Sequence, residues 1–346
     1  YFHNSDSQNS GDYIDFQGAF LSPDMFSNAH RDIREWPNYE PTPLFNLDGL
    51  AKELGINSLL LKHEGFRFGL GSFKALGGAY AVSKVLQAKI KEVSGENADL
   101  NKIIAGEYSD ITETVTVCTA TAGNHGRSVA WGAKLFNCSC IIFVPKSASQ
   151  GRIDAIAALG PKVVQHPKNY DQTVRYCAET ALSENWTVVS DTSYEGYTDI
   201  PTDIMAGYSV IVTEIINQLK NNYRPTHVFV QGGVGGFASG IIAPMWHHWG
   251  DDRPRFVYVT PINAAPMLHS AKAGKRVLIG GDLNTIMTCL SCGELSMLTW
   301  PLLKTAVNDT IAISDTAAIE TMRKLANGTN GDPPLVAGES GCAGVA

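Results

Sequence analysis

Residues equipped for chemistry gather in three glycine-flanked segments of the sequence, each at the end of a strand-like run. The first is Gly69-Leu-Gly-Ser-Phe-Lys74-Ala-Leu-Gly-Gly78. A lysine that opens a helix beside Phe73 and Leu76 is expected to have a lowered pKa. Burial and a positive helix end both favour the neutral amine, the form that condenses with a carbonyl. An ordinary surface lysine is an equal alternative for this segment taken alone. The second is Thr119-Ala-Thr-Ala-Gly-Asn-His-Gly126. Its small residues let a ligand approach the backbone, and helix N-terminal amides donate to a carboxylate. Asn124 could donate to an oxygen on a bound ring, although a helix N-cap is the plainer role for a lone asparagine. His125 by itself reads as structural. The third is Gln231-Gly-Gly-Val-Gly-Gly-Phe237. Its consecutive amides from Gly232, Gly233, Val234, Gly235 and Gly236 can converge on one phosphate. Neither a P-loop Lys-Ser/Thr nor GxGxxG spacing is present, so nucleotide readings are weak. Four glycines in five residues cost a mere turn a great deal of entropy, which favours the anion site.

The elements that must hold these segments follow from periodicity. Residues 58–62 read as a strand and 73–91 as a helix, followed by a polar surface connection over 92–114. Strands are expected at 114–118, 140–144, 162–164, 186–190, 227–231 and 255–260. Helices are expected at 125–136, 149–159, 171–183, 201–219 and 236–248. This alternation implies parallel sheets wrapped by helices, with ligands beyond the carboxyl ends of the strands. The first residues read as a polar leader without the basic and apolar regions of a signal peptide. Residues 338–346 read as the opening of an apolar helix, and the chain is expected to continue beyond them.

Composition narrows the function classes. The net charge of −7 argues against nucleic-acid and anionic-membrane partners. No run of eighteen apolar residues suggests a membrane span, and a cytoplasmic enzyme is expected. Seven cysteines include Cys289-x-x-Cys292, for which buried apolar cysteines are favoured over half of a metal site. No metal is expected. Four Asn-x-Ser/Thr triplets, at Asn137, Asn185, Asn308 and Asn327, carry no weight without a secretory signal.

The order of the three segments resembles the tryptophan-synthase-β-like group, the fold type II enzymes that depend on pyridoxal 5′-phosphate (PLP). The resemblance narrows at Pro41-Thr-Pro-Leu44, Arg67-Phe-Gly-Leu70, Phe73-Lys-Ala-Leu-Gly-Gly-Ala-Tyr80 and Gly123-Asn-His-Gly-Arg127. It continues at Asn169-Tyr-Asp171, Asp191-Thr-Ser-Tyr-Glu-Gly-Tyr197, Ile200-Pro-Thr202, Gly280-Gly-Asp282 and Gly338-Glu-Ser340. Together these look like the 2,3-diaminopropionate ammonia-lyase family from about residue 40 onward. The resemblance implies that Lys74 is the Schiff-base lysine and base, beside Phe73. It implies Asn124 as partner of the ring oxygen and Gly232 to Gly236 as the phosphate cradle. Thr121, Ala122, Gly123, His125 and Asp191 would face the substrate, with the Asp191 carboxylate holding its β-ammonium group. Without the resemblance, Asp191 at a strand end reads as a turn cap.

The sequence departs from the family at Ala122, where the lyases carry aspartate and serine and threonine dehydratases carry Ala or Gly. The Ser or Thr that would face the pyridine nitrogen is expected beyond Ala346. The fold expected is α/β, with two open parallel-sheet βα domains and the cofactor between them. A larger domain spans 1–79 plus 198–346 and a smaller one 80–197. The activity expected is α,β-elimination from an amino acid, by a homodimer. A serine/threonine-type dehydratase, a β-replacement synthase and a non-catalytic PLP-binding homologue are the alternatives.

Overall fold

The computed structural model of the chain describes residues 1–5, 7, 11–16, 18–220 and 223–346. Among them the strands are β1 (Phe2–His3), β2 (Leu44–Asn46), β3 (Leu60–Lys62), β4 (Thr116–Ala120), β5 (Ser139–Pro145), β6 (Lys162–His166), β7 (Thr187–Val188), β8 (His227–Gln231), β9 (Arg255–Pro261) and β10 (Val307–Ile313). The chain divides into two compact units. One comprises residues 1–24, 41–65 and 211–346, the other residues 25–40 and 66–210.

The second unit is built on a fully parallel sheet in the order β6-β5-β4-β7. Cys140-Ile-Ile-Phe-Val144 of β5 is buried along its length, as expected of a strand covered on both faces. The helix Lys74–Ser94 is the unit's spine, because small residues let neighbours approach its backbone. A Cβ at Gly77 would stand 2.5 Å from the Tyr208 ring, and one at Gly132 would stand 2.6 Å from Ala79 Cα. A Cβ at Gly207 would meet Leu76 O at 2.0 Å. The helices Asn124–Leu135 and Asp199–Tyr208 therefore lie directly on the lysine helix. These contacts place residues 66–79 and 198–210 with the second unit, a different division from the expected 1–79 plus 198–346 and 80–197.

The first unit carries the sheet β1-β10-β9-β8, parallel except where β1 joins antiparallel at the edge. β2 and β3 form a separate antiparallel pair. Its core gathers Leu47, Leu50, Val259, Met287, Leu290, Ile313 and Leu325. Both units conform to the α/β expectation, and the antiparallel edge strand is an addition to it.

Several local expectations change. The N-terminal segment is no mere leader: Phe2 and His3 pair with Thr310 and Asp309, and Tyr13 is buried. The 92–114 stretch is not a plain connection, since burial of Leu100 and Ile103 winds it into the short helices Leu100–Ile104 and Ser109–Thr112. The helix expected over 201–219 breaks at Ser209, whose hydroxyl turns back to Ala206 O at 2.6 Å. Residues 338–346 form turns instead of a helix, with Cys342 and Ala343 seated in the core. Cys118, Cys140, Cys177 and Cys342 are buried, but Cys289 is exposed and Cys138 and Cys292 are half-buried. The turn Thr288–Leu290 buries its leucine in place of that thiol. Among the described residues no group of side chains is arranged for a metal ion, and no helix is long and apolar enough to cross a membrane.

Candidate active site

Lys74 is the first residue of its helix, as its motif implied. Its Nζ lies 2.6 Å from Asp191 Oδ2 and within 5.5 and 5.6 Å of the Phe73 and Tyr208 ring centroids. Burial acts to lower the lysine pKa, but the Asp191 carboxylate, assisted by the Tyr208 hydroxyl, reverses the sign. Lys74 is thus held as an ammonium, which corrects the expectation of a lowered pKa: its carboxylate partner is 117 positions away and invisible to local sequence. Burial likewise works against the Asp191 carboxylate, and the Lys74 charge overrides it and holds the acid below the usual range. The plainer role of Asp191 as a turn cap gives way to this ion pair.

His125 is buried in the second residue of the helix Asn124–Leu135. Its Nε2–H donates to Val189 O at 2.8 Å, so Nδ1 carries a lone pair. That Nδ1 has no hydrogen-bond partner and faces Asp191 Oδ2 at 3.9 Å. Burial pushes the histidine pKa down, with the Lys74 charge adding to it and Asp191 opposing. A buried acceptor beside a carboxylate is a place for a cationic N–H donor.

The turn before this helix is wound tightly. Thr121 N–H donates to Phe143 O at 2.8 Å, and Thr121 Oγ1 accepts from Gly123 N–H at 3.1 Å. Gly123, not Asn124, is the N-cap. Asn124 instead accepts from Arg127 Nη1 through Oδ1 at 3.4 Å, which points its amide –NH₂ away from that contact. Ala122 is half-buried and offers only a methyl. The second unit therefore brings together Lys74, Phe73, Asp191 and His125, with Thr121 to Asn124 on the turn leading to His125.

The glycine segment belongs to the first unit, between β8 and the helix Gly236–Trp249. Its back is closely packed. A Cβ at Gly232 would stand 2.1 Å from Tyr258 Oη, one at Gly233 2.7 Å from Cys292 Sγ, and one at Gly235 2.6 Å from Leu303. Gly235 also has φ +100°, a backbone region that disfavours side chains. Tyr258 Oη donates to Gly233 O, and Ser296 N–H and Thr299 Oγ1 donate to Val234 O. These bonds hold the carbonyls to the back of the loop, while no described residue accepts from the amides of Gly233, Val234 or Gly235. Gly232 is the exception, because its N–H extends the sheet to Val259 O at 3.1 Å. A row of unclaimed amides at a helix N-terminus fits a phosphate.

Sequence reasoning missed Tyr208. Its ring packs edge-on against Phe73 at 4.9 Å, and burial pushes its hydroxyl up to about 12 while Lys74 pulls the other way. No local signal marks it, since only the helix packing through Gly77 and Gly207 carries it to Lys74.

The family of pyridoxal-phosphate dependent enzymes matches residues 36–346. The diaminopropionate ammonia-lyase of Escherichia coli strain K12 is 39% identical over 309 residues, which cover 89% of this chain and 76% of that protein. The Salmonella typhimurium diaminopropionate ammonia-lyase is 36% identical over 90% of this chain and 78% of its own length. The crystal structure of the Escherichia coli enzyme in complex with D-serine superposes with a TM-score of 0.87 at 34% identity, over 99% of this chain and 84% of that one. The chain belongs to the diaminopropionate ammonia-lyase family of pyridoxal-phosphate dependent enzymes.

Proposed function

We propose that the chain removes ammonia by α,β-elimination from 2,3-diaminopropionate or a similar β-substituted amino acid, giving pyruvate and ammonia. The observation that carries this reading is the Lys74–Asp191 pair beside the unpartnered His125 Nδ1. Lys74 would hold the aldehyde carbon of PLP, Asn124 its ring oxygen and the amides of Gly233 to Gly236 its phosphate, with Gly232 anchoring the loop and Phe73 beside the lysine. When bound, PLP supplies an electron sink for the charge left at the substrate Cα. With its nitrogen engaged by PLP, Lys74 would no longer offer Asp191 an ammonium. A primary ammonium on the substrate β-carbon is chemically matched to take that place, donating to Asp191 Oδ2 and His125 Nδ1. With the substrate amine in its place on the cofactor, the Lys74 amine would be the base that takes the Cα proton. Overall, one water enters and both substrate nitrogens leave as ammonia.

A serine- or threonine-type dehydratase is the second reading, and Ala122 is the observation that favours it. The ammonia-to-pyruvate ratio separates the two: two to one from diaminopropionate, one to one from serine. Activity on L-serine alone would move the assignment to the dehydratase. Borohydride should fix the cofactor to the peptide containing Lys74, and label on any other peptide would overturn the site. Family membership is also the support for a cytoplasmic homodimer, and a light-scattering mass near twice 37.3 kDa checks the oligomer.

A further inference from the structure

The strand that leads to Asp191 lies at an open edge. Among the described residues β7 is the last strand of its sheet and pairs only with β4, through Thr187 and Val188. The ladder runs one bond further, with Val189 N–H donating to Cys118 O at 2.8 Å. Neighbouring residues of a strand point their polar groups to opposite sides. Val188 and Ser190 therefore turn theirs away from β4, toward the side where no strand follows.

One hydroxyl fills that side. Tyr197 Oη donates to Val188 O at 2.9 Å and accepts from Ser190 N–H at 2.8 Å. It reaches them because Tyr194-Glu-Gly-Tyr197 is a tight turn, closed by backbone bonds of 3.3 and 2.9 Å between the tyrosines. Gly196 makes the turn possible at φ +80°, and the two rings stack at 4.7 Å. Burial raises the Tyr197 pKa, so the phenol stays protonated and keeps its donor. The two residues it brackets are decisive. Val189, between the clamped groups, supplies the carbonyl that orients His125, and Asp191 follows directly after Ser190.

We propose that Tyr197 is a positioning residue, standing in for a missing strand and setting Asp191 and His125 against Lys74. The inference rests on the elimination reading given above. Its test is Tyr197→Phe, which keeps the ring and its stack, with Tyr194→Phe as control. Tyr194 is 53% exposed and lies outside the machinery. In the apo-enzyme, reductive methylation of Lys74 followed across pH by mass spectrometry reports how firmly Asp191 holds the ammonium. Tyr197→Phe should move that profile to lower pH, since burial of Lys74 is then less well opposed. In the holoenzyme, kcat per bound cofactor should fall about ten- to a hundredfold, the scale of a small misplacement of reacting groups. The thermal midpoint should drop by only about 2–5 °C, and Tyr194→Phe should change neither profile nor rate. An unmoved Lys74 profile, or activity lost only in proportion to bound cofactor, would overturn the proposal. Should the parent chain release no oxoacid from diaminopropionate, the elimination reading fails, while the methylation profile still decides whether Tyr197 governs the pair.

Discussion

Lys74 is held as an ammonium by Asp191, and any reaction of its amine first needs that proton released. Both side chains are about a quarter exposed, at 22% and 31%, and each holds the other charged against the cost of burial. Asp191→Asn removes the counter-charge and leaves burial to lower the Lys74 pKa. The visible absorbance of bound PLP should then develop faster at neutral pH than in the parent chain. Turnover of a β-amino substrate should nevertheless fall about ten- to a hundredfold, the value of a lost charge-assisted hydrogen bond. Unchanged turnover would return Asp191 to a role in the apo-enzyme alone. The pair also sets a pH dependence. The Asp191 pKa is depressed on folding, so its contribution to stability is present above the ordinary value of 3.8 and is lost as pH falls below it. The Lys74 pKa is raised, so its contribution is complete below the ordinary 10.5 and is lost only at higher pH. The gap in thermal midpoint between the apo parent and Asp191→Asn should accordingly widen as pH falls below 10.5, where the variant must bury a Lys74 charge without a counter-ion, and close in acid as Asp191 of the parent is protonated. Ala122 bears on stereochemistry. In the proposed reaction Lys74 would serve one face of the substrate, and a methyl at 122 would offer no acid or base for the other. The chain should therefore eliminate from the L-isomer of diaminopropionate only, and Ala122→Asp should gain activity on the D-isomer. Comparable rates of the parent on both isomers would refute this.

At the level of elements, the glycines do two different jobs. Gly77, Gly132 and Gly207 let helices touch, whereas Gly232, Gly233 and Gly235 let a loop lie flat on Tyr258, Cys292 and Leu303. Gly207→Ala would force a methyl into Leu76 O and should cost about 1–3 kcal/mol of stability, with the Tyr208 ring displaced from Lys74. Denaturant titration and activity together would register it. Gly235→Val would combine overpacking with a disfavoured φ, so it should lower stability as well as cofactor affinity and cannot isolate the loop's ligand role. Thr299→Val is the sharper probe, because it removes a bond that holds Val234 O to the back of the loop. It should weaken PLP about tenfold, the scale of one hydrogen bond, and leave affinity for pyridoxal, which has no phosphate, unchanged. Equal weakening of both ligands would argue that the loop does not carry the phosphate. These elements were legible in different degrees. β5 and the helix Lys74–Ser94 announce themselves by continuous apolar character and by helical spacing. Residues 92–114 hide theirs, since only Ala98, Leu100, Ile103 and Thr112 are buried within a polar stretch.

Across the whole molecule, the net charge of −7 disfavours association with a polyanion. A labelled DNA duplex at low salt should show no change in anisotropy with the protein, and binding there would contradict this reading. The sequence alone determined the α/β character, because alternating strand and helix periods are local properties of the chain. It also determined which residues could do chemistry: Lys74 at a helix start, Asn124 and His125 on a glycine turn, and the loop from Gly232 to Gly236. Tertiary structure decided what those residues contact. Lys74 and Asp191 are 117 positions apart, and only the pairing of β7 with β4, together with the packing of the lysine helix on the helices Asn124–Leu135 and Asp199–Tyr208, makes them an ion pair. The same packing reversed the expected direction of the Lys74 pKa, because a burial effect is legible from apolar neighbours and a distant countercharge is not. Tyr208 had no signature in the sequence, and the motif that ends at Tyr197 disclosed no role for it, for the same reason. One reaches the amine through helix contacts at glycines, and the other completes an edge that exists only once the sheet has formed.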